Sequence, residues 1–192
     1  MNLILGSSSW SRQAILKRNG ISFEIISPDI DEKAIRFDDP GALVTAIANA
    51  KMDAVLAKLT EPAFVITSDQ VVVSDELIME KPISIDEARE HLVRHRTIPP
   101  MTVTAVCVAN SETGQRETIV DFARAYFSSI PDDLIDRLIE NGRIMSCSGS
   151  YIINDPLMDP FVDHIEGTLD SIEGLPFETA IQLLKKVGYI IA

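Results

Sequence analysis

LILGSSSWSR, residues 3–12, runs from three apolar residues through Gly6 and three consecutive serines into Trp10, Ser11 and Arg12. A buried strand that turns into a helix through small residues leaves backbone N–H groups facing outward at the helix start. Gly6 permits close approach, and the hydroxyls of Ser7, Ser8 and Ser9 add hydrogen-bonding groups. Helical side chains lean toward the N-terminus, so Arg12 in the first turn is placed to reach back over that point. Two readings stay open on this stretch alone: an anion site, or a capped helix with a surface arginine. A Walker loop is excluded, because G-x-x-x-x-G-K-[ST] is missing.

Working outward, Ser9 is expected to cap a helix from about Trp10 to Asn19, with Gly20 as its stop and Trp10 packed near Ala14 in the core. Residues 23–32, FEIISPDIDE, read as a strand followed by an acidic loop. Asp39-Pro40 opens a helix that is expected to reach about Leu59. AFVIT (63–67) and VVV (71–73) read as two buried strands separated by a three-residue break. Ser84 and Glu87 form a capping box for a helix ending near His95. MTVTAVCVA and RETIVDFARAYF flank the Gly-containing NSETGQ and predict a β-hairpin. Pro131 starts a helix that stops at Gly142. Residues 146–176 read as irregular, and a last helix covers about 177–187. Irregular alternation with a hairpin predicts an α/β fold with a mixed sheet flanked by helices.

The 192 residues suit one domain spanning 1–192. A hydrophobic fraction of 46% with 24% charged residues is that of a globular protein. No apolar run reaches the ~18 residues of a membrane span. With no charged leader or apolar core at its start, and with two unpatterned cysteines, the sequence is expected to be cytoplasmic and reduced. A net charge of −12 argues against binding polymeric nucleic acid, since phosphate neutralisation needs a basic surface. It leaves a small phosphorylated ligand open, held by a few local cations and a divalent metal. A homodimer stays open.

Several polar residues interrupt this pattern. Asp29, Asp31 and Glu32 crowd one loop and repel unless a cation offsets them. Asp69, between two apolar runs, is expected to be part-buried at a strand end, where α/β proteins gather catalytic groups. Lys51 shares the apolar stripe of its helix with Val44, Ala48 and Val55, so it either snorkels or reaches into a site. Lys81 precedes a proline, so its backbone is extended or turn-like. Lysines, an arginine and carboxylates together are the parts of metal-assisted phosphoryl chemistry. His91 and His95, four apart on one helix, have zinc-ligand spacing but no evident third ligand. Cys107 reads as core.

In order along the chain, LILGSSSWSR, PDIDE, the lysine of ANAKM, SDQVVV, EKP, CSGSY and EGLP resemble the motifs of the Maf family, from residue 3 to about 185. The resemblance implies an ITPase-like α/β fold, with a bent mixed sheet and two lobes around a deep cleft. It implies a nucleoside triphosphate substrate cut between the α- and β-phosphates, giving a monophosphate and pyrophosphate, with a divalent cation (Mg or Mn). By the same resemblance Ser7 and Arg12 bind phosphate. Glu32 and Asp69 hold the metal and activate water, with Asp69 as base, and Lys51 and Lys81 hold the phosphates. Base selection falls on Ser11, Gln70 and Asn154. SDQ and C-S-G-S are similar to the branch acting on 7-methyl-GTP rather than the branch acting on dTTP and UTP. The first motif departs from the family's S-P-R-R or S-P-W-R, reading S-W-S-R, and Ser11 and Asn154 match neither branch. A modified or non-canonical nucleotide is the expected substrate. The alternative of another class is a nucleotide-binding regulator of cell division with little turnover.

Overall fold

The computed structural model describes residues 1–190. Its strands are β1 (Asn2–Leu5), β2 (Glu24–Ile25), β3 (Ala63–Ser74), β4 (Leu77–Met79), β5 (Met101–Asn110), β6 (Arg116–Phe127) and β7 (Val162–Glu166). Its helices are α1 (Trp10–Arg18), α2 (Pro40–Leu56), α3 (Ile85–Arg94), α4 (Asp132–Asn141), α5 (Leu169–Ile172) and α6 (Phe177–Lys186). The strands form one mixed sheet in the order β2-β1-β3-β5-β6-β7, with β4 paired to β3. β1 runs parallel to β2 and β3, while β4 is antiparallel to β3 and β7 to β6. The mixed α/β class is as the sequence predicts.

Two compact units are defined by their internal packing. The first comprises Met1–Asp69, Thr104–Asp121 and the chain from Gly174 on. Its core packs Leu3, Leu5, Ile66, Val106 and Val108 against Ile15 and Leu16 of α1 and Ile181 and Leu184 of α6. Gly6 ends β1 under tight packing. A Cβ there would lie 2.6 Å from Thr67 Cγ2 and 2.9 Å from Val55 Cγ2. The second unit comprises Gln70–Val103 and Phe122–Glu173. Its core joins Val72 and Met79 to Leu92 of α3, Leu134 and Leu138 of α4, and Tyr151, Ile153 and Met158.

Helix starts follow the sequence at Asp39-Pro40 and at Ser84. Asp39 accepts from the Ala42 amide at 2.6 Å with Pro40 in the first turn, and Ser84 accepts from Glu87 at 3.1 Å. The Glu87 carboxylate accepts from the Ile83 amide, one residue short of a closed box. Thr168 caps α5 through the Ser171 amide. At α1 the expectation fails: Ser9 Oγ pairs with Ser11 Oγ at 2.9 Å instead of capping the helix.

Three further expectations are corrected. β3 is one continuous strand of 12 residues, so no break separates 63–67 from 71–73. The polar residues that suggested a break are buried and partnered within the strand. Thr67 Oγ1 donates to the Ala48 carbonyl at 2.8 Å, Ser68 Oγ to the Gly174 carbonyl at 2.9 Å, and Asp69 pairs with Lys51. Trp10 is 55% exposed rather than core. α1 buries Ile15 and Leu16, and at about 100° per residue Trp10 falls well away from both. Residues 146–176 hold β7 and α5, not only irregular chain.

Candidate active site

The first unit collects five of the singled-out residues. Lys51 lies one turn before the end of α2 on its apolar face, so its aliphatic stem is buried among core residues and its ammonium extends to their edge. Nζ is 2.6 Å from Asp69 Oδ1 and 3.0 Å from Glu32 Oε1. The Lys51 and Asp69 side chains are 7% and 8% exposed, whereas Glu32 is 51% exposed. Asp69 sits inside β3, not in a loop at its end, so a strand rather than a turn fixes its position.

The acidic loop sorts into three roles. Asp29 pairs with Lys58 at 2.6 Å, and its carboxyl is held below the usual range by hydrogen bonds from Lys58 and Ser27. Asp31 caps a short 3-10 turn, Glu32–Ala34, through the Lys33 amide. Glu32 alone turns to Lys51.

Arg12 completes the cluster. Its Nε donates to the Gly174 carbonyl at 2.9 Å and its Nη1 to Ser7 Oγ at 3.3 Å. Ser7 Oγ also accepts from the Ser9 amide at 3.2 Å, which folds the serine loop over itself. The Gly174 carbonyl thus anchors both Arg12 and Ser68.

Electrostatics separate the two buried charges. Burial raises the Asp69 carboxyl above its usual pKa, and Lys51 and Arg12 pull it part of the way back. Burial lowers the Arg12 pKa, with Asp69 and Glu32 opposing. A carboxylate with a raised pKa, 2.6 Å from one cation and within electrostatic reach of a second, suits proton acceptance next to an anion.

The second unit holds Gln70, Lys81 and Asn154. Gln70 Nε2 donates to the Ser171 carbonyl at 2.8 Å, and Asn154 Nδ2 to Glu173 Oε1 at 2.6 Å. Both amides therefore grip the same short stretch, 171–173. Ser11 belongs to the first unit, in the first turn of α1, with its hydroxyl on Ser9. Lys81 is exposed, and its charge lowers the Cys147 thiol pKa against the dominant rise from burial.

The histidine pair is not a zinc site. His95 Nε2 donates to the Gly149 carbonyl at 2.7 Å, and His91 Nδ1 pairs with Ser150 Oγ at 2.8 Å. Both rings are buried and committed to protein partners. Cys107 is fully buried on β5, as expected of core. Sequence reasoning missed this histidine–loop contact, because partners 54 and 59 residues apart leave no local pattern.

A divalent cation can be tested against these groups. Among the described residues, no cluster of three or more His, Cys, Asp and Glu side chains is placed to hold a metal ion. Asp69 and Glu32 nevertheless present two hard oxygen donors 2.6 and 3.0 Å from one cationic nitrogen. Magnesium is commonly held by one or two carboxylates plus substrate phosphates, and the pair fits that donor set.

A mixed α/β fold with a buried lysine clasped by two carboxylates, beside an arginine at a serine-rich helix start, defines an anion-handling protein with acid–base capacity. The Maf-like protein family model matches residues 2–187, and the chain belongs to that family. It is 38% identical to a 7-methyl-GTP pyrophosphatase of Dictyostelium discoideum, over 97% of this chain and 97% of that protein. It is 33% identical to a 7-methyl-GTP pyrophosphatase of Nitrosococcus oceani, over 97% and 94%. A dTTP/UTP pyrophosphatase of Thermotoga petrophila is likewise 33% identical, over 98% and 91%.

Proposed function

We propose that this chain is a nucleoside triphosphate pyrophosphatase that cleaves the α–β phosphoanhydride of a modified nucleotide, with 7-methyl-GTP as the leading substrate. The observation that carries the reading is Lys51 Nζ clasped between Asp69 and Glu32 with Arg12 alongside. Names of relatives at 38% and 33% identity support the reaction class and the base.

Charge decides how the parts are used. Arg12 and Lys51 are balanced by Asp69 and Glu32, so the cluster is formally neutral. A triphosphate brings several negative charges to a chain of net charge −12. A divalent cation on Asp69 and Glu32 would supply the missing positive charge and polarise a phosphoryl oxygen. Arg12, held by Gly174 and Ser7, orients phosphate oxygens at the start of α1. Lys51 exchanges a carboxylate partner for a phosphate oxygen and stabilises charge that develops there. Asp69 accepts the proton of the attacking water, its carboxylate fixed in place by the buried Lys51. In the second unit, Lys81 is assigned to phosphate by the family resemblance, and Gln70 and Asn154 to the base.

The test is pyrophosphate release with magnesium or manganese from a panel of 7-methyl-GTP, GTP, dTTP and UTP. The reading expects pyrophosphate and monophosphate in equal amounts, with 7-methyl-GTP fastest. Tight nucleotide binding without pyrophosphate release defeats it in favour of a regulator.

A further inference from the structure

In the second unit, residues 147–151 follow an unusual path. Gly149 and Ser150 are both left-handed, with φ of 66° and 57°. Such a conformation is strained for serine and persists only where surrounding contacts over-determine it. A Cβ at Gly149 would also lie 2.8 Å from Val72 Cγ1. Three contacts hold this turn. His95 Nε2 donates to the Gly149 carbonyl, and His91 Nδ1 pairs with Ser150 Oγ. The Gly149 amide donates to the Glu80 carbonyl at 3.2 Å.

Glu80 directly precedes Lys81, and the Lys81 charge acts on the Cys147 thiol two residues before Gly149. The turn therefore meets this segment at the Glu80 carbonyl, one residue before Lys81, and the Lys81 charge lies within electrostatic reach of Cys147. Behind it, the His95 ring is fixed edge-on to Tyr151, with centroids 5.4 Å apart, and stacked at 6.4 Å on Phe127. His95 Nδ1 and the Tyr151 hydroxyl are both buried without a hydrogen-bond partner among the described residues. A hydrocarbon ring would fill this place with fewer unpaired polar atoms, so packing alone gives no reason for a histidine. The Nε2–H donated to Gly149 does.

We infer that His95, seconded by His91, is a positioning residue for Lys81: it fixes the left-handed turn at 149–150, and the turn fixes the Glu80–Lys81 backbone. The inference rests on the phosphate role of Lys81 proposed above. Small displacements of a positioned charge carry large rate penalties, up to about 10²-fold for 1 Å.

The test is a double-mutant cycle on pyrophosphate release, with intrinsic fluorescence and thermal melting to establish folding. His95→Phe keeps a ring and removes the donor. It should lower kcat about tenfold with KM changed less than about threefold. His95→Gln, whose amide keeps an N–H at the same reach, should recover kcat to within about threefold. In a Lys81→Ala background, His95→Phe should cost less than about twofold, because the group it acts through is gone. Ser150→Ala buries nothing new and should show the same non-additivity more weakly, which covers a His95→Phe protein that fails to fold. Equal losses in both backgrounds overturn the inference and leave Lys81 in its role. Undiminished turnover of Lys81→Ala removes Lys81 from the phosphate set and the inference with it. Alkylation of Cys147 reads the same turn without turnover, Cys107 being fully buried. His95→Phe should accelerate it several-fold and His95→Gln should not; equal rates in all three proteins also overturn the inference.

Discussion

Lys51 Nζ and Asp69 Oδ1 lie 2.6 Å apart with both side chains more than nine-tenths buried, one on α2 and the other in the middle of β3. The pair is a buried charge couple whose second carboxylate, Glu32, is half exposed. A half-exposed carboxylate and a buried one thus meet at one ammonium group.

Asp69→Asn should fold and lose turnover by at least about 10²-fold, since an amide neither accepts the proton nor binds a hard metal well. In the wild type, burial holds the Asp69 pKa above the ordinary 3.8. In the metal-free protein the base form is lost as pH falls through that raised value, so Asp69 followed by NMR without metal should titrate above the ordinary carboxylate range. A rate near wild type for Asp69→Asn at saturating metal removes Asp69 from the mechanism.

In water enriched in oxygen-18, attack at the α-phosphorus places the label in the monophosphate. Mass spectrometry of both products decides this. Label in the pyrophosphate would put the attack on the β-phosphorus even if the products were as proposed.

Lys51→Ala should destabilise as well as inactivate. Removing one partner of a buried pair typically costs about 3–5 kcal/mol, and the exposure of Glu32 places this case at or below the lower end. Urea midpoints give the loss. A loss under about 1 kcal/mol would show that Asp69 reaches another cation or water when Lys51 is gone.

The pH dependence of stability should carry the signature of His95. Burial lowers its pKa from 6.5 to about 4; the hydrogen bond to Gly149 opposes the shift, and His91 and Arg94 add to it. The unfolded chain therefore binds a proton that the folded one refuses between those values, and stability falls as pH drops from 6.5 toward 4. At about 1.4 kcal/mol per unit, the loss approaches about 3 kcal/mol. His95→Gln should lose that part of the slope. Parallel pH profiles for the two proteins would show His95 to be protonated in the fold.

Much of this was legible in the chain because it is local. Pro40 after Asp39, Ser84 before Glu87, and the hairpin around Gly114 are encoded within a few residues; the structure forms both N-caps and the hairpin, and leaves the box at Ser84 unclosed. The site residues were legible for another reason: Asp69 and Lys51 are charges in apolar company, and such charges require partners. What failed was non-local. Ser68 and Asp69 looked like a break because their partners, the Gly174 carbonyl and Lys51, lie 106 and 18 residues away. β7, with VDHIE mostly exposed, shows no apolar alternation and is defined by its pairing with β6. Trp10 was placed in the core beside Ala14, but α1 spends its buried face on Ile15 and Leu16.

The Gly174 carbonyl takes hydrogen bonds from Arg12 and Ser68, and Gly174 has a φ of 100°. Side-chain-bearing residues rarely adopt that conformation. In a saturation mutagenesis screen, position 174 should therefore tolerate almost nothing, although the residue there has no side chain to contribute. Even alanine would rotate the peptide and release the guanidinium of Arg12. A growth or turnover screen in which several residues are accepted at 174 would show that Arg12 does not depend on this oxygen. Sensitivity maps would otherwise mark a glycine as functional when the functional atom belongs to the main chain, and no substitution at 174 can report on that oxygen alone.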